Sequence, residues 1–540
     1  MKLLRLKIFD SNTCGGLLNG VEIPFRVGDV DIDNFSPICL IGPNGAGKSQ
    51  VLQIIAEIFQ AVFAYFIPDE EQGTPNKDIF FEIEYLLYDS SETSNQKKVK
   101  IHRVKEGRKK TEIIISRFLK NEWNIVDSND EIKKLLPSKV IGYTSGDNET
   151  LSIPFFVSRA GYAKQVSNNA RDKIKATLPI ADSRMLLIDY GTNLEVLIAN
   201  LLLNPINVRQ HLVNEPNLKK LRSFRCVIQL KYSSSSSSKV LLTDELKGYV
   251  EYLKNCCTCF IYDEHSLTYT FDFYVQDATY SAFSDYWKGG ALELYSCFHK
   301  LAMLNDLVIN KTDREAFIKG VEQRRFSSRL PEPMERQKVF RFERVEFISQ
   351  KSEEPVDYVS LSDGEHQLTQ LLGTLCMASF PNVLFLLDEP ESHFNPRWRV
   401  EFISKIFNLP TSNIDKNNNE GKRSEKKSSA KQEFLITTHS PFVPSDMHSD
   451  NVMIFKKDDN KEIITIRRPN IQTYGSTFDT ILDECFGINP PMSDIPKNEI
   501  DDLLESENID EIKEAINRLG DSVERIYLAD RVRMLSSKKG

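Results

Sequence analysis

The amino-acid sequence predicts an α/β fold, a mixed sheet with flanking helices, and two observations lead to this prediction. The first is a buried strand, "SPICLIGPNG" at 36–45, which runs into a glycine-rich turn and then into an apolar-periodic helix, "KSQVLQIIAEIFQAVFAYF". The second is a pair of similar apolar strands much later in the chain, "VLFLLD" and "FLITT", each of which ends in polar or charged residues. Strand, turn and helix in this order are typical of α/β proteins, which place ligand sites at the ends of such strands.

The other elements follow from local patterns along the chain. Three stretches before residue 120, "DIFFEIEYLLYD", "KKVKIHRVK" and "TEIIISRFL", read as antiparallel strands separated by polar turns. A further strand, "KVIGYTSGDNETLS", runs into a polar loop. Helical patterns dominate from about 155 to 335, around one β-like piece, "SLTYTFDFYVQD".

These changes in sequence pattern divide the chain into four predicted segments. Residues 1–154 form an N-terminal lobe, and residues 155–338 form a mainly helical insertion domain. Residues 339–485, which begin with the strand-like "VFRFERVEFIS", form a C-terminal lobe. Residues 486–540 form a short helical C-terminus, in which we expect two helices with acidic-to-basic pairing.

The composition of the chain indicates the class of protein and the compartment to expect. The chain has 540 residues, 40% of them hydrophobic and 27% charged, with a net charge of −8, which argues against a surface that is basic throughout. No run of 18 apolar residues is present and the N-terminus lacks the apolar core of a signal peptide, so we expect no membrane association and a cytoplasmic location. The nine cysteines are sparse, which fits a reducing compartment.

The one cysteine cluster, "NCCTCFIYDEH", contains Cys256, Cys257, Cys259 and His265. A structural zinc ion requires four ligands at workable spacing, and adjacent cysteines are a poor start. The aromatic and apolar neighbours instead favour a buried strand.

The strongest motif is a phosphate-binding loop. Residues 42–49 fit the pattern G-x-x-x-x-G-K-[ST], with a strand before it and a helix after it. Glycines allow backbone N–H groups to turn inward around phosphate oxygens at a helix N-terminus. The lysine supplies a charge to the β- and γ-phosphates and the serine a hydroxyl to Mg²⁺, so ATP and Mg²⁺ are the predicted cofactors. The predicted nucleotide-binding residues here are Gly42, Asn44, Gly45, Ala46, Gly47, Lys48, Ser49 and Gln50.

A second motif, "PNVLFLLDEPESHFNP" at 381–396, ends an apolar strand in two carboxylates. Asp388 can hold the Mg²⁺ shell together with Ser49, directly or through water. Glu389 is placed to polarise an attacking water as a general base. The alternative is that the two acidic residues merely begin a solvated loop.

Two further sites are ambiguous when each is taken alone. Ser362, Asp363 and Gly364 stand immediately before a strong helix, where a serine or aspartate is often only an N-cap. His439 follows the strand "FLITT" in "TTHSP", and a lone histidine there is more often structural.

The order of these motifs resembles the ATPase head of the ABC type: P-loop, S-D-G-E before a helix, hydrophobic-D-E, then T-T-H-S. The resemblance covers roughly residues 1–150 and 340–480. It implies that two heads close head-to-tail around two nucleotides, so that Ser362 and Gly364 of one subunit touch the γ-phosphate held by Lys48 of the other. It also implies that His439 is a switch histidine and that "ESHFNP" matches the D-loop. The family's glutamine loop would fall in the loop after "VIGYTSG", with Asn148 as the candidate residue.

Departures from the transporter form of the ABC-type motifs indicate which branch of the family the chain resembles. Asp363 and Glu365 replace the first glycine and the glutamine of the transporter signature L-S-G-G-Q, and far more residues separate Lys48 from Ser362 than in transporters. With no membrane segment, the non-transporter relatives of SMC, RecF and the OLD nucleases are favoured. An OLD-type nuclease would require a C-terminal Toprim domain, but the acidic residues of the short C-terminus lie on predicted helices.

Within that branch, four stretches look like the PtuA family, the ATPases of Septu and certain retron anti-phage systems: "GYTSGDNETLSIPF", "LSDGEHQ", "DEPESHFNPRWR" and "LGDSVERIYLADRVRML". The resemblance implies a homo-oligomer that works with a separate HNH nuclease, PtuB. In a retron context it also implies a reverse transcriptase with its DNA–RNA product, the msDNA. The eight histidines are scattered singly, so the sequence shows no H-N-H site of its own.

Two other functions stay open from the sequence. A DNA-repair ATPase of RecF or Rad50 type would bind DNA directly, and the basic stretch 95–120 could contact phosphates or be only a solvated β-hairpin. That hypothesis predicts DNA-stimulated hydrolysis, weakened by neutralising Lys97, Lys98, Arg108 and Lys109. The third function is a nucleotide-gated scaffold with little turnover.

Overall fold

The computed structural model describes residues 1–92, 95–106, 109–110, 112–145, 150–172, 174–188, 193–231, 239–322, 333–409, 431–458 and 463–538. They form two compact units, Met1–Gly475 and Ser476–Gly540. The strands of the first unit, in chain order, are β1 Lys2–Ser11, β2 Glu22–Pro24, β3 Ile38–Ile41, β4 Ile79–Tyr88, β5 Gln96–Arg103, β6 Lys105–Glu106, β7 Lys109–Lys110, β8 Ile114–Leu119, β9 Glu122–Ile125, β10 Lys139–Thr144, β11 Met185–Ile188, β12 Leu218–Gln229, β13 Cys259–Asp263, β14 Thr268–Tyr274, β15 Phe340–Ser349, β16 Pro355–Asp357, β17 Val383–Asp388, β18 Glu433–Thr438, β19 Val452–Asp458 and β20 Ile463–Arg467.

The α-helices of the first unit lie between these strands. Their bounds are α1 Lys48–Phe66, α2 Asn129–Lys134, α3 Ser152–Arg171, α4 Asn193–Leu203, α5 Ile206–Asn214, α6 Asp244–Cys256, α7 Asp277–Tyr286, α8 Ala291–Met303, α9 Lys311–Glu322, α10 Asp363–Met377, α11 Pro396–Phe407 and α12 Phe442–Ser445.

The central element is a seven-stranded sheet with the order β11-β10-β17-β18-β3-β19-β20. Its neighbours pair in parallel, except that β19 and β20 are antiparallel. Every residue of β3, β17 and β18 is buried, which explains why these strands are continuous apolar runs in the sequence. The predicted α/β class, with a mixed sheet and flanking helices, is confirmed.

A six-stranded sheet, β2-β1-β4-β5-β8-β9, lies on the other side of α1. Its described pairs are antiparallel, and β4, β5 and β8 correspond to the three antiparallel strands predicted before residue 120. One hydrophobic cluster joins residues of β1, β4, α1, β17 and β18. The helix that follows the P-loop is therefore held between two sheets.

The helix α1 has 19 residues and begins directly after the P-loop glycines. By length and composition alone it could cross a membrane. In this fold 72% of the most apolar 18-residue stretch of α1 is buried inside the protein. The core helix of a globular protein has the same composition, and the cluster around α1 accounts for its apolar residues.

A third sheet, β13-β14-β12-β15-β16, is antiparallel and lies largely within the segment predicted as mainly helical. The strand β14 was expected, but the twelve-residue β12 was not, because "LKKLRSFRCVIQ" mixes charged and apolar residues without clear alternation. The segment 155–338 also supplies β11 to the edge of the central sheet. The four predicted segment boundaries stay predictions.

The cysteine-rich strand is not buried, which corrects the expectation from its apolar neighbours. It is β13, at the edge of its sheet, and four of its five residues are exposed. In the sheet that the structure describes, β13 pairs with one strand, β14, so its other edge is uncovered by a strand. Cys256 is buried at the end of α6 whereas Cys259 is exposed, and among the described residues no group of three or more potential ligands is assembled to hold a metal.

The second unit is helical, with α13 Phe478–Phe486, α14 Asp494–Glu505, α15 Ile509–Arg518 and α16 Val523–Lys538. The last three pack around a small apolar cluster that includes Ile500, Ile512 and Leu528. Two helices were predicted from residue 496 onward, and three are present. Asn508 accepts a hydrogen bond from the N–H of Glu511 and so begins a separate helix in the middle of the acidic run.

One buried acid near α1 leads to a stability prediction. Glu71 is 2% exposed and accepts hydrogen bonds from the Ser158 hydroxyl and the Gly73 N–H. Burial raises the pKa of Glu71 from 4.5 to about 7. Because the pKa is higher in the folded state, the stability contributed by the neutral acid is complete below pH 4.5 and is lost as the pH rises through 7.

At pH 8 the unfolding free energy of Glu71→Gln should therefore exceed that of the wild type by on the order of 1–3 kcal/mol, and its unfolding temperature should be higher. Near pH 5 the two proteins should have the same stability. Thermal unfolding at both pH values measures this, with exposed Glu122→Gln as the control. Equal stabilities at pH 8 would show that the buried carboxyl carries no such penalty.

Candidate functional site

The P-loop, Asp388, Glu389 and His439 lie at the carboxyl ends of three neighbouring parallel strands. In the central sheet β18 lies between β17 and β3. The register pairs Asp388 of β17 with Thr437 of β18, and Thr438 with Ile41 of β3. Since the P-loop follows β3 and His439 follows β18, three segments far apart in sequence end at one edge of the sheet.

The P-loop takes a shape that requires glycine at two places. Gly42 has φ +147°, and a Cβ there would lie 2.2 Å from the backbone oxygen of Phe455 in β19. Gly47, at the start of α1, has φ +93°, and its Cβ would meet the side chain of Ile464 at 2.6 Å. Asn44 and Gly45 are exposed, Ala46 is buried, and Gln50 is half-buried. The loop is therefore fixed by packing against β19 and β20, with its tip free to meet a ligand.

Lys48 is folded back onto its own loop. Its Nζ donates to the carbonyl oxygens of Gly42 at 2.9 Å and Pro43 at 3.1 Å, and the residue is 4% exposed. Burial lowers the pKa of Lys48 to about 8, against the opposing effect of the Glu389 and Asp388 carboxylates. The ammonium is thus weakly solvated and close to where the motif places phosphate oxygens.

Ser49 and Asp388 are brought together as a pair of oxygen donors. The Ser49 hydroxyl donates to Asp388 Oδ1 at 2.8 Å, and the Thr437 hydroxyl donates to the same oxygen at 2.5 Å. Burial raises the pKa of Asp388, while these two hydrogen bonds act in the opposite direction. A hydroxyl and a carboxylate are the ligands that Mg²⁺ takes in nucleotide sites, so the residues present fit that ion.

The side chains of Glu389 and His439 are also in contact, and both lie beside the Lys48 ammonium. The Nε2 atom of His439 lies 3.0 Å from Glu389 Oε1 and 3.0 Å from Lys48 Nζ. The hydrogen bond from His439 lowers the pKa of Glu389, with burial opposing it. Glu389 has φ +46°, unusual for a residue with a side chain, and its N–H donates to the Thr437 hydroxyl at 3.0 Å.

The two contacts of His439 exclude each other. An ammonium only donates and a carboxylate only accepts, so Nε2 cannot bond both at once. A bare Nε2 accepts from Lys48, whereas a protonated Nε2 donates to Glu389. His439 therefore links the cation of the P-loop to the carboxylate after β17 through a single proton.

Ser362 and Gly364 occupy a different place, at the start of α10. Ser362 is the N-cap: its hydroxyl accepts from the Glu365 N–H, and Glu365 Oε2 accepts from the Ser362 N–H at 2.8 Å. A Cβ on Gly364 would lie 2.8 Å from the backbone oxygen of His393, so the helix start packs closely on the loop after β17. Within one chain Ser362 has the N-cap role left open from the sequence. The contact of Ser362 and Gly364 with a second subunit's nucleotide stays a prediction.

Sequence reasoning missed three residues that organise the site: Thr437, Thr438 and Glu391. The first is the shared partner of Asp388 and Glu389. The other two are bonded to each other through the Thr438 hydroxyl and Glu391 Oε1. The two threonines precede His439 in "TTHS", but only the pairing of β17 with β18 shows what they contact. Asn148, the glutamine-loop candidate, lies outside the described residues.

The basic stretch 95–120 is largely neutralised where the structure describes its side chains. Lys97 pairs with Asp89 and Glu92, and Lys98 lies 3.4 Å from Glu84. Arg117 pairs with Glu92 at 2.6 Å. Of the two other proposed DNA contacts, Lys109 lies on β7 and Arg108 lies outside the described residues. The described cations therefore have the pairing of a solvated hairpin.

The shape of the P-loop gives a prediction with an internal control. Gly42→Ala should destabilise the protein by roughly 2–5 kcal/mol, because its Cβ meets a backbone atom that cannot move and its φ disfavours a side chain. Gly45→Ala, whose Cβ has open space, should cost only about 1–2 kcal/mol through its φ of +74°. Denaturant unfolding of both variants tests this difference, and equal losses would contradict the close contact with Phe455.

Comparison with known proteins gives one family match. Residues 292–446 match the model of a family described as AAA domain, putative AbiEii toxin, Type IV TA system. The matched segment contains α10, β17 and β18, and with them Ser362, Asp388, Glu389 and His439. No curated protein matches the chain. The match and the P-loop motif at 42–49 together support a P-loop ATPase domain of ABC-like type.

Proposed function

We propose that this P-loop ATPase domain hydrolyses ATP with the help of Mg²⁺, and that two copies of the chain close around the nucleotides. The observation that carries the proposal is the convergence of Lys48, Ser49, Asp388, Glu389 and His439 at one sheet edge. Each brings the chemical group that phosphoryl transfer to water requires: a cation, two metal ligands, a base and a proton carrier.

The chain's own residues have separate roles in this reaction. The N–H groups of residues 44–49 would surround the β- and γ-phosphates, and Lys48 would exchange the Gly42 and Pro43 carbonyls for phosphate oxygens. Ser49 and Asp388 would hold Mg²⁺, which neutralises phosphate charge. Glu389 would accept a proton from a water molecule whose oxygen attacks the γ-phosphorus. The bond between the γ-phosphorus and the oxygen that it shares with the β-phosphate would break, giving ADP and phosphate.

His439 would then report the state of the site. When Lys48 turns toward a phosphate, its contact with Nε2 is lost, and Nε2 can then bond Glu389 or a phosphate oxygen. Ser362 and Gly364 would supply the hydroxyl and N–H groups that complete a second subunit's pocket. The exposed position of Ser362 at a helix N-terminus suits an anion.

We further propose that nucleotide state controls a partner effector in anti-phage defence. This part rests on the resemblance to the PtuA family, whose partners are an HNH nuclease and, in retrons, a reverse transcriptase with msDNA. We expect the assembly to be cytoplasmic. The ion pairs of the basic stretch 95–120 do not favour direct DNA binding of the RecF or Rad50 type.

The catalytic proposal is tested by phosphate release from ATP by the purified chain in Mg²⁺ and in EDTA. We expect turnover only with Mg²⁺, and ATP binding with no turnover in Mg²⁺ would leave a nucleotide-gated scaffold as the better description. Sedimentation with and without ATP reports the closure of two copies.

The partner proposal needs a separate experiment. The chain is purified from cells that express its native gene neighbourhood, and bound proteins and nucleic acids are identified. A nuclease that co-purifies and is released or activated by a change of nucleotide supports the proposal. Plaque counts with and without Lys48→Ala then test defence, and protection by that variant equal to wild type would contradict nucleotide control.

A further inference from the structure

A buried carboxyl outside the proposed catalytic set lies close to the site. Glu391 is 3% exposed, three residues after Asp388. Its Oε1 accepts a hydrogen bond from the Thr438 hydroxyl, while Oε2 is buried and has no hydrogen-bond partner in the part of the chain that the structure describes. Burial raises the pKa of Glu391 to about 7, against the hydrogen bond from Thr438. A carboxyl is a costly group to bury with one oxygen unsatisfied, and such exceptions cluster at functional sites.

The bond from Thr438 continues to the other side of His439. Thr438 Oγ1 donates to Glu391 and accepts from the Ser440 N–H at 2.8 Å. The residues immediately before and after His439 are therefore joined through one hydroxyl, and that hydroxyl is anchored on Glu391. The turn that carries the imidazole is fixed at both ends.

The neighbouring threonine makes the complementary connection. Successive strand residues point to opposite faces, and at the end of β18 Thr437 reaches Asp388 and the Glu389 N–H while Thr438 reaches Glu391. The loop after β17 is thus attached to β18 on both faces. Asp388 and Glu389 have predicted roles at the metal and the attacking water, whereas Thr438 and Glu391 have no predicted contact with nucleotide or metal.

We propose that Glu391 is a positioning residue, which through Thr438 holds the turn that directs His439 Nε2 at Glu389 and Lys48. The proposal rests on the proposed ATP hydrolysis, in which His439 carries a proton between states. Glu391 touches neither phosphate nor metal in this role, and it acts on turnover only through the orientation of the imidazole.

The test compares two deletions of the bond with two conservative replacements. Glu391→Leu removes the acceptor and Thr438→Val the donor, whereas Glu391→Gln and Thr438→Ser keep the hydrogen bond. We expect kcat to fall about 10- to 100-fold in the first two variants, with KM within about twofold of wild type, and to stay within about threefold in the other two. Thr374→Val is the matched control, because it removes a buried threonine hydroxyl bonded only within α10.

Two combinations separate positioning from a general loss of structure. Glu391→Leu with Thr438→Val should be no slower than Thr438→Val alone, since both changes remove the bond between Glu391 and Thr438 and Thr438→Val also removes the acceptor for the Ser440 N–H. Glu391→Leu should have no further effect when His439 is already alanine. Independent, multiplying losses in these combinations, or a conservative variant as slow as its disruptive partner, would overturn the proposal. If Glu391→Leu does not fold, as judged by thermal unfolding, Thr438→Val and Thr438→Ser give the same comparison.

The imidazole itself provides a readout that does not depend on hydrolysis. The Hε1 resonance of His439, identified by its absence in His439→Ala, should shift in Thr438→Val and remain near its wild-type position in Thr438→Ser. A wild-type chain that binds ATP but does not hydrolyse it would refute the catalytic proposal, and the resonance would still decide this one. An unmoved resonance in Thr438→Val means that Glu391 does not position His439.

Discussion

Glu389→Gln is expected to lower ATP turnover by about 100- to 10,000-fold while leaving ATP binding intact. Glutamine has almost the same shape as glutamate, and its carbonyl oxygen can still occupy the position 3.0 Å from His439 Nε2. It cannot accept a proton from water, and proton acceptance is the function assigned to this carboxylate. The backbone at φ +46° and the N–H bond to Thr437 are unaffected by the change.

Phosphate release measures turnover in this experiment, and a fluorescent ATP analogue measures binding. Glu353→Gln serves as the control, because its exposed side chain pairs with Lys219, at the third sheet. Turnover of Glu389→Gln equal to that of the wild type would show that another group, or none, acts as the base. Loss of ATP binding would instead show that Glu389 has a structural role in the pocket.

Lys48→Ala is expected to weaken ATP binding by about ten- to a hundredfold. A hydrogen bond to a charged group is worth about 1.5–3 kcal/mol, and the alanine variant loses both that bond and the charge. The structure adds a pH dependence to this effect. Burial lowers the pKa of Lys48 to about 8 in the free protein, and a bound phosphate favours the protonated form, so the pKa is higher in the complex.

Wild-type affinity for ATP should thus be constant below pH 8 and fall above it, by up to about tenfold per pH unit, until the pKa of the complex is reached. Lys48→Ala should lack this decrease. Titrations with ATP between about pH 7 and pH 9.5 test the prediction, with exposed Lys247→Ala as the control that keeps the wild-type curve. A flat wild-type curve would mean that the lysine is fully charged in the free protein throughout the range.

Much of the site could be predicted because its chemistry is local in sequence. The P-loop is a continuous motif, and its glycines, Lys48 and Ser49 act through the backbone of eight adjacent residues. Asp388 and Glu389 end an unbroken apolar run, and His439 ends another, so the sheet edge could be inferred before any contact was known. The α/β class followed from the same strands.

Other features could not be predicted, because they depend on contacts between distant segments. The 12-residue strand β12 is defined by its pairing with β14 and β15, and its sequence alone has no strand alternation. The apolar strand β13 is exposed because it lies at the edge of its sheet. Thr437, Thr438 and Glu391 are ordinary residues in the sequence, and only the register of β17 against β18 joins them.

The sequence by itself predicted a phosphate-binding loop, and it placed two carboxylates and a histidine at strand ends, because loop shape and strand burial are set by residues close together in the chain. The tertiary structure decided which of those groups meet. It placed β18 between β17 and β3, brought His439 to both Lys48 and Glu389, and put Ser362 and Gly364 at the start of α10, against the loop after β17. Hydrogen-bond register and packing between distant strands fix such distances, and no local pattern contains that information.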